Sequence, residues 1–407
     1  MPSMPIQPVL AALRRHRLAM LLITIEIALA CAVLCNASFL IVNRLQQTQL
    51  VSGVDEAALA QISLGGFDPA KASDLNARVL EGVGRIPGVE SVSVINAVPF
   101  GDHAGTAGIT LEPASQKSVG VIDFYVAGPG AFAAMGLRVV AGSPLRPDDF
   151  PPVVDFVPQD SSVLITRALA EHLWPGADPL GKEFWCDKRH FRVSGVLDHL
   201  ARPGGGEGAA QTREWSAFLQ AQPGEHLAGT YLMRAAPGKL QSALREVRER
   251  MATIAPDAVL NTESTKTVGD LRDSYFRDDR LMAGLLVGVI CALLLVTALG
   301  IVGLTSFWVQ QRRKQIGIRR AIGATRADIL AYFQTENFLI VSGGIAIGMV
   351  LAFALNIALM NYYELPHLPL FYLPVGALVL WILGQLAVLG PAMRAAAVPP
   401  VVATRTA

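Results

Sequence analysis

Apolar positions along the chain are gathered into long runs rather than scattered. Four runs reach the ~20 residues that a helix needs to cross a bilayer. They extend over 18–42, 281–308, 329–360 and 370–393. Between the first and second lies a long block, 43–280, with the mixed pattern of a globular domain. Within it two segments share one design. Leu75, Val79, Val83 and Ile86 fall on one helical face over 72–86, and Leu240, Leu244, Val247, Met251 and Ile254 do the same over 240–254. Each predicted helix is preceded by a strand-like run (59–64; 230–235) and followed by a turn and another run (89–95; 258–263). This predicts a strand–helix–strand unit used twice: one α/β subdomain over about 51–98 and 229–280, interrupted by an insertion over about 99–228. The insertion reads as β-rich, with strands expected over 119–127, 162–166 and 191–197 and a Gly-rich surface loop at 203–208. The expected fold class is therefore membrane α-helical, with four transmembrane helices and a large α+β extracytoplasmic domain inserted between the first and second.

Composition agrees. Of 407 residues only 16% are charged, against about 25% for an ordinary soluble domain. A net charge of +1 gives no basic surplus for nucleic acid, and none is expected as a partner. The first run has a basic leader in Arg14, Arg15 and Arg17. At about 25 residues it exceeds the ~7–15 of a signal-peptide core, so it is expected to be a retained anchor. Basic residues cluster at that leader, over Arg312 to Arg326 and at Arg394 and Arg405, whereas 361–369 has none. By the positive-inside rule the flank 1–17, the loop 309–328 and the tail 394–407 are expected in the cytoplasm, with the block and the loop 361–369 outside. Cys186 is the single cysteine of the block, so no disulfide can form within it. Cys31 and Cys35 share a helix face, but two thiols do not make a zinc site, and no metal is expected.

Chemical motifs are scarce. Residues 176–183, GADPLGKE, come within one residue of a phosphate loop, but Glu183 stands where a magnesium-binding Ser or Thr is required. Neither HExxH nor GxSxG occurs. His172, His190, His199 and His226 lie too far apart in sequence to mark a site by spacing. Glu26 sits in the first span, where a carboxylate is costly. Two readings stand: a contact between spans or subunits, against Thr297 or Gln385, or a position near the headgroups reached by Arg15 or Arg17. Gly284 with Gly288, and Gly344 with Gly348, offer close-packing faces.

The segment 311–326, QRRKQIGIRRAIGATR, predicts a short amphipathic helix in the basic loop. On its own it reads equally as an anchor on anionic lipid. It also resembles the signature R-x-x-E-I-G-I-R-R-A-L-G-A of the MacB/FtsX-like permeases of ABC transporters. Further likenesses follow in order: Arg85 to Val89, the Gly- and Met-bearing stretch 124–144, the WPGADPLGK turn at 174–182, and the C-terminal 391–405. Gln315 replaces the usual Glu, and Met393 an Arg. The resemblance implies a permease subunit in a bacterial inner membrane, its large domain periplasmic, with no catalytic residues and no cofactor of its own. ATP and Mg would be bound by a separate ABC ATPase subunit. That subunit would be engaged through Arg312, Arg313, Ile316, Gly317, Ile318, Arg319, Arg320, Ile322 and Gly323, the isoleucines anchoring, the arginines pairing and the glycines allowing close approach. Such permeases pair as homodimers or with a paralogue, and some dock a periplasmic adaptor. Export of a peptide, antibiotic or lipid-linked molecule is the first expectation. Regulation of a periplasmic hydrolase by the same stroke is the alternative, and a membrane-anchored periplasmic enzyme is a third.

Overall fold

The computed structural model describes residues 17–102, 104–113, 115, 117–146, 148–204, 212–363 and 367–397. Arg14, Arg15, Arg405 and most of the Gly-rich loop 203–208 lie outside them. In chain order the elements are α1 (Arg17–Gln47), β1 (Leu59–Gly65), α2 (Ala72–Gly84), β2 (Val89–Val94), β3 (Gly105–Ile109), β4 (Gly120–Ala127), α3 (Ala131–Met135), β5 (Val139–Gly142), β6 (Asp160–Thr166), α4 (Arg167–Leu173), β7 (Glu183–Cys186), β8 (Arg189–Leu197), β9 (Ser216–Gln220), β10 (Thr230–Ala235), α5 (Leu240–Ile254), β11 (Val259–Leu260), α6 (Val268–Tyr275), α7 (Arg277–Gln311), α8 (Arg313–Ala321), α9 (Arg326–Tyr363) and α10 (Tyr372–Ala396). The chain divides into two units: Gln47–Asp278, and the helices on either side of it in sequence.

In the first unit, one sheet has the order β11-β1-β10-β2, all antiparallel. With α2 and α5 this is the split β-α-β arrangement of a ferredoxin-like layer, the insertion entering between β2 and β10. Strand alternation with a cluster on each face explains why β1 is buried along almost its whole length. Ala60, Ile62 and Leu64 face the α2 and α5 residues Leu75, Val79, Leu244 and Val247. Leu59 faces the opposite way, into a second cluster with Ile95, Phe100, Leu232 and Phe276. The last strand is shorter than the expected 258–263, because Asn261 Oδ1 accepts from the N–H groups of Glu263 and Ser264 and turns the chain out of the sheet. The insertion forms a mixed sheet of order β3-β4-β9-β6-β8-β5, with β7 beside β8. Asp123 on β4 holds Arg202 at 2.6 Å, both buried, and so ties the loop after β8 to the sheet.

In the second unit α1, α7, α9 and α10 are long and apolar enough to cross a membrane. α1, α7 and α9 exceed the expected spans at both ends, because helical hydrogen bonding continues past the apolar stretch into flanking polar residues, whereas α10 begins at Tyr372, inside the expected 370–393, and runs on to Ala396. The expected helix over 309–328 is correspondingly shorter: α7 runs to Gln311, α8 occupies only 313–321, and α9 begins at Arg326. Arg394, expected in the tail, is still in the last turn of α10. Small residues set the crossings. A Cβ at Gly344 would come within 2.7 Å of Ile27, and one at Gly348 within 2.5 Å of Cys31 and 2.7 Å of the Ala28 carbonyl. These glycines let α9 approach α1. There Asn36 also donates to the Ala352 carbonyl at 3.0 Å, and Cys31 and Cys35 are buried packing residues. Gly284 and Gly288 are different. A Cβ on either meets nothing within 4 Å, so among the described residues they pack against no other helix.

Candidate functional site at the basic turn

The turn between α7 and α9 carries most of the residues named from sequence. Its shape follows from two terminators. Gly323 takes φ 111°, where a side chain would be strained. The N–H of Ala324 donates to the Arg319 carbonyl and that of Gly323 to the Arg320 carbonyl, closing α8 in a Schellman turn. Thr325 then caps α9 reciprocally with Asp328, whose N–H donates to Thr325 Oγ1 at 3.2 Å while its carboxylate accepts the Thr325 N–H at 2.9 Å. Gly323, expected to allow close approach to a partner, has a structural duty as well. It ends the helix.

The arginines and isoleucines separate into two sets. Arg312, Ile316, Gly317 and Arg320 face the bundle. Arg312 Nη1 straddles the Glu336 carboxylate, at 3.0 Å from Oε1 and 2.9 Å from Oε2. Glu336 is only 2% exposed, and the guanidinium also covers the Trp308 ring at 5.7 Å. Ile316 is buried in the cluster that holds Ile301, Ile329 and Phe333. Arg320 Nη1 donates to the Ala396 carbonyl at 3.0 Å, satisfying the end of α10. Arg319 lies over the Tyr332 ring at 4.9 Å. Of the arginines expected to be offered to a partner, Arg312 and Arg320 are instead turned inward by helical periodicity, whereas Arg319 stays exposed. Of the residues named from sequence, those left outward include Arg313, Ile318, Arg319 and Ile322. Ile318 and Ile322, four apart, are 45% and 81% exposed. Isoleucine is costly to leave in water, and this pair forms the exposed apolar edge of α8.

Glu336 is the residue that sequence reading missed. The signal was present: a carboxylate inside an apolar run, 24 positions from a basic residue. Beside it a cavity of about 10 Å³ is lined by Thr305, Trp308, Glu336 and Asn337. The indole Nε1–H of Trp308 and the Asn337 amide nitrogen find no partner there. That is room and polarity for about one water.

Glu26 lies against Gly300, where an added Cβ would sit 2.8 Å from Oε2, but it bonds to neither Thr297 nor Gln385. Glu26 Oε1, Thr297 Oγ1 and Gln385 Nε2 are all without a hydrogen-bond partner. The near-phosphate loop is a folded turn whose amides are spent internally: Ala177 on Trp174, Leu180 on the Asp178 carboxylate, Gly181 on Val193 and Lys182 on Pro179. His172 stacks on Trp215 and meets the Val119 carbonyl, and His199 meets Glu214. Among the described residues no group of three His, Cys, Asp or Glu could hold a metal ion.

Comparison with known proteins adds the family. Residues 18–250 match the family model of the MacB-like periplasmic core domain, and residues 287–400 that of the FtsX-like permease C-terminal domain. A macrolide export ATP-binding/permease protein MacB from Nitrobacter winogradskyi is 28% identical over 59% of the chain and 37% of its own length. One from Neisseria meningitidis serogroup A is 24% identical over 88% of the chain and 53% of its own length. The chain thus spans about a third to a half of the relatives it matches. The crystal structure of the periplasmic region of MacB from Actinobacillus actinomycetemcomitans aligns with 56% of this chain and 97% of that one, at 15% identity and a TM-score of 0.34.

Proposed function

Because the chain belongs to the family of FtsX-like permeases that carry a MacB-like periplasmic core domain, we propose that it is the permease subunit of an ABC transporter, driven by an ATPase supplied in trans. The four long helices sit in a bacterial inner membrane with both termini and α8 in the cytoplasm, and the unit Gln47–Asp278 stands in the periplasm between the first and second spans. The ATPase binds ATP and Mg; this chain contributes no catalytic group. Two permease chains, identical or paralogous, work as a pair, and a periplasmic adaptor completes the assembly where one is used. The cargo class that suits this arrangement is a peptide, antibiotic or lipid-linked molecule.

The observation that carries this reading is the two-sided character of α8. Its inner side is fastened to the bundle through Arg312, Ile316 and Arg320, while Ile318 and Ile322 stand exposed on its outer side. A helix built this way converts a push on its outer edge into movement of the spans, and α7 carries that movement to the periplasmic domain. Throwing a conformer from 1:99 to 99:1 requires ATP to favour one state by ~5.5 kcal/mol. Docking two isoleucines supplies at most about 1.5–3 kcal/mol each, a contribution to seating α8 on a partner.

The test is Ile318→Asp with Ile322→Asp, in the chain co-expressed with its ABC ATPase. The expected result is loss of ATPase co-purification and of permease-stimulated ATP hydrolysis, with membrane insertion and thermal stability unchanged. Full stimulation in that variant would refute the docking role.

A further inference from the structure

A second feature lies beside α8. Ser306, Val309 and Gln310 of α7, Arg313 of α8, and Pro391 and Arg394 of α10 line a groove of about 220 Å³. That is many times the roughly 10–15 Å³ that holds one water, enough for a phosphate group and its ester carbons. The lining has one sign of charge. Two arginines and no carboxylate line the groove, and among the described residues neither Arg313 nor Arg394 has an ion-pair or hydrogen-bond partner. Ser306 spends its proton on the Val302 carbonyl at 2.7 Å, so the donors facing the groove are the two arginines and the Gln310 amide. Val309 and the ring of Pro391 supply apolar wall. Donors without acceptors beside an apolar wall, between two spans, suit a ligand that is a phosphate anion at one end and hydrocarbon at the other.

We propose that this groove binds the headgroup of an anionic phospholipid from the cytoplasmic leaflet and so fixes α7 to α10 beside the coupling helix. The leaflet assignment rests on the orientation given under Proposed function; the binding chemistry does not.

The full chain is reconstituted in nanodiscs of phosphatidylcholine with a minor fraction of phosphatidylglycerol, then extracted, and retained lipid is counted by native mass spectrometry. Wild type is expected to hold phosphatidylglycerol over phosphatidylcholine. Arg313→Gln with Arg394→Gln is expected to weaken that retention about 25-fold, at roughly fivefold per arginine. Lys314→Gln with Arg326→Gln removes the same charge outside the groove and is expected to leave retention intact. Equal loss in both double variants, or equal retention of the two lipids by wild type, would overturn the proposal. Thiol labelling of Arg326→Cys in sealed cells reads the orientation separately: labelling from outside would overturn the leaflet while leaving the groove's lipid preference in symmetric nanodiscs untouched.

Discussion

The Arg312–Glu336 pair makes the sharpest test of how α8 is attached. In Glu336→Gln the side chain keeps its volume and one acceptor but loses its charge, leaving the Arg312 guanidinium facing a neutral amide. At 2.9 Å two unit charges attract by roughly 6 kcal/mol at an effective dielectric of 20, and the cost of removing both from water offsets much of that. The quantity an experiment reads is different: removing one partner of a buried pair costs about 3–5 kcal/mol, because the other charge is left uncompensated. Glu336→Gln is therefore expected to destabilise the bundle by about that amount, and Arg312→Gln similarly. In the double variant no charge is stranded, so its loss is expected to fall well short of the sum of the two. Unfolding in mixed detergent micelles measures this, with Trp308 beside Arg312 as a fluorescent reporter. Permease-stimulated ATP hydrolysis, followed in parallel, is expected to fall in both single variants. If Glu336→Gln costs no more than the exposed Arg326→Gln, or if the two losses simply add, the pair is not what holds α8.

Two further outcomes follow from the geometry. Gly348→Ala places a methyl group 2.7 Å from the Ala28 carbonyl and 2.5 Å from Cys31 Cβ; backbone cannot yield as a side-chain tip can, so an overpacking loss of about 1–3 kcal/mol is expected in the same micelle assay, whereas Gly288→Ala, where a Cβ meets nothing, is expected to cost little. Burial pushes the Tyr231 phenol, bonded to Asn76 Oδ1 at 2.9 Å, up to about 12. Because the folded value lies above the ordinary value of 10.0, Tyr231 contributes stability that is full below pH ~10 and is lost as pH rises towards 12; an ultraviolet phenolate titration of wild type against Tyr231→Phe checks it, and a Tyr231 contribution appearing near pH 10 would refute it.

How much of this was legible depends on which physical signal each element leaves in the sequence. The four long helices were plain, because a membrane leaves only contiguous apolar runs to read. The twin α2 and α5 units were legible for a related reason: their heptad-like spacing survives insertion of a whole sheet between them. Strands β3, β5 and β9 left no such trace. Gly105, Gly108 and Gly142 break alternation in β3 and β5, and β9 is a short apolar run buried on both sides. The residues of the basic turn show the limit most clearly. Arg312, Arg319 and Arg320 look alike in a basic run, and only the position of Glu336 and the end of α10 decides which of them turn inward. Periodicity placed the arginines on a helix; it could not say which side of that helix the bundle would take.

That inward set bears on how motion can be passed on. A stroke that inverts a 1:99 population carries ~5.5 kcal/mol, while loss of one buried charge partner removes about 3–5 kcal/mol. A single substitution at Glu336 therefore takes away attachment of nearly the size of the stroke itself. α8 would then yield at its own root before α7 moved. In such a variant the ATPase should still dock, since Ile318 and Ile322 are untouched, yet docking should no longer be matched by a response of the periplasmic domain. Retained co-purification with lost stimulation is the signature of a slack strut, whereas loss of both together would mean that Glu336→Gln had displaced the docking edge as well. Separating the two sides of α8 in this way tests the division of labour directly: the outer side recognises, and the inner side bears the load.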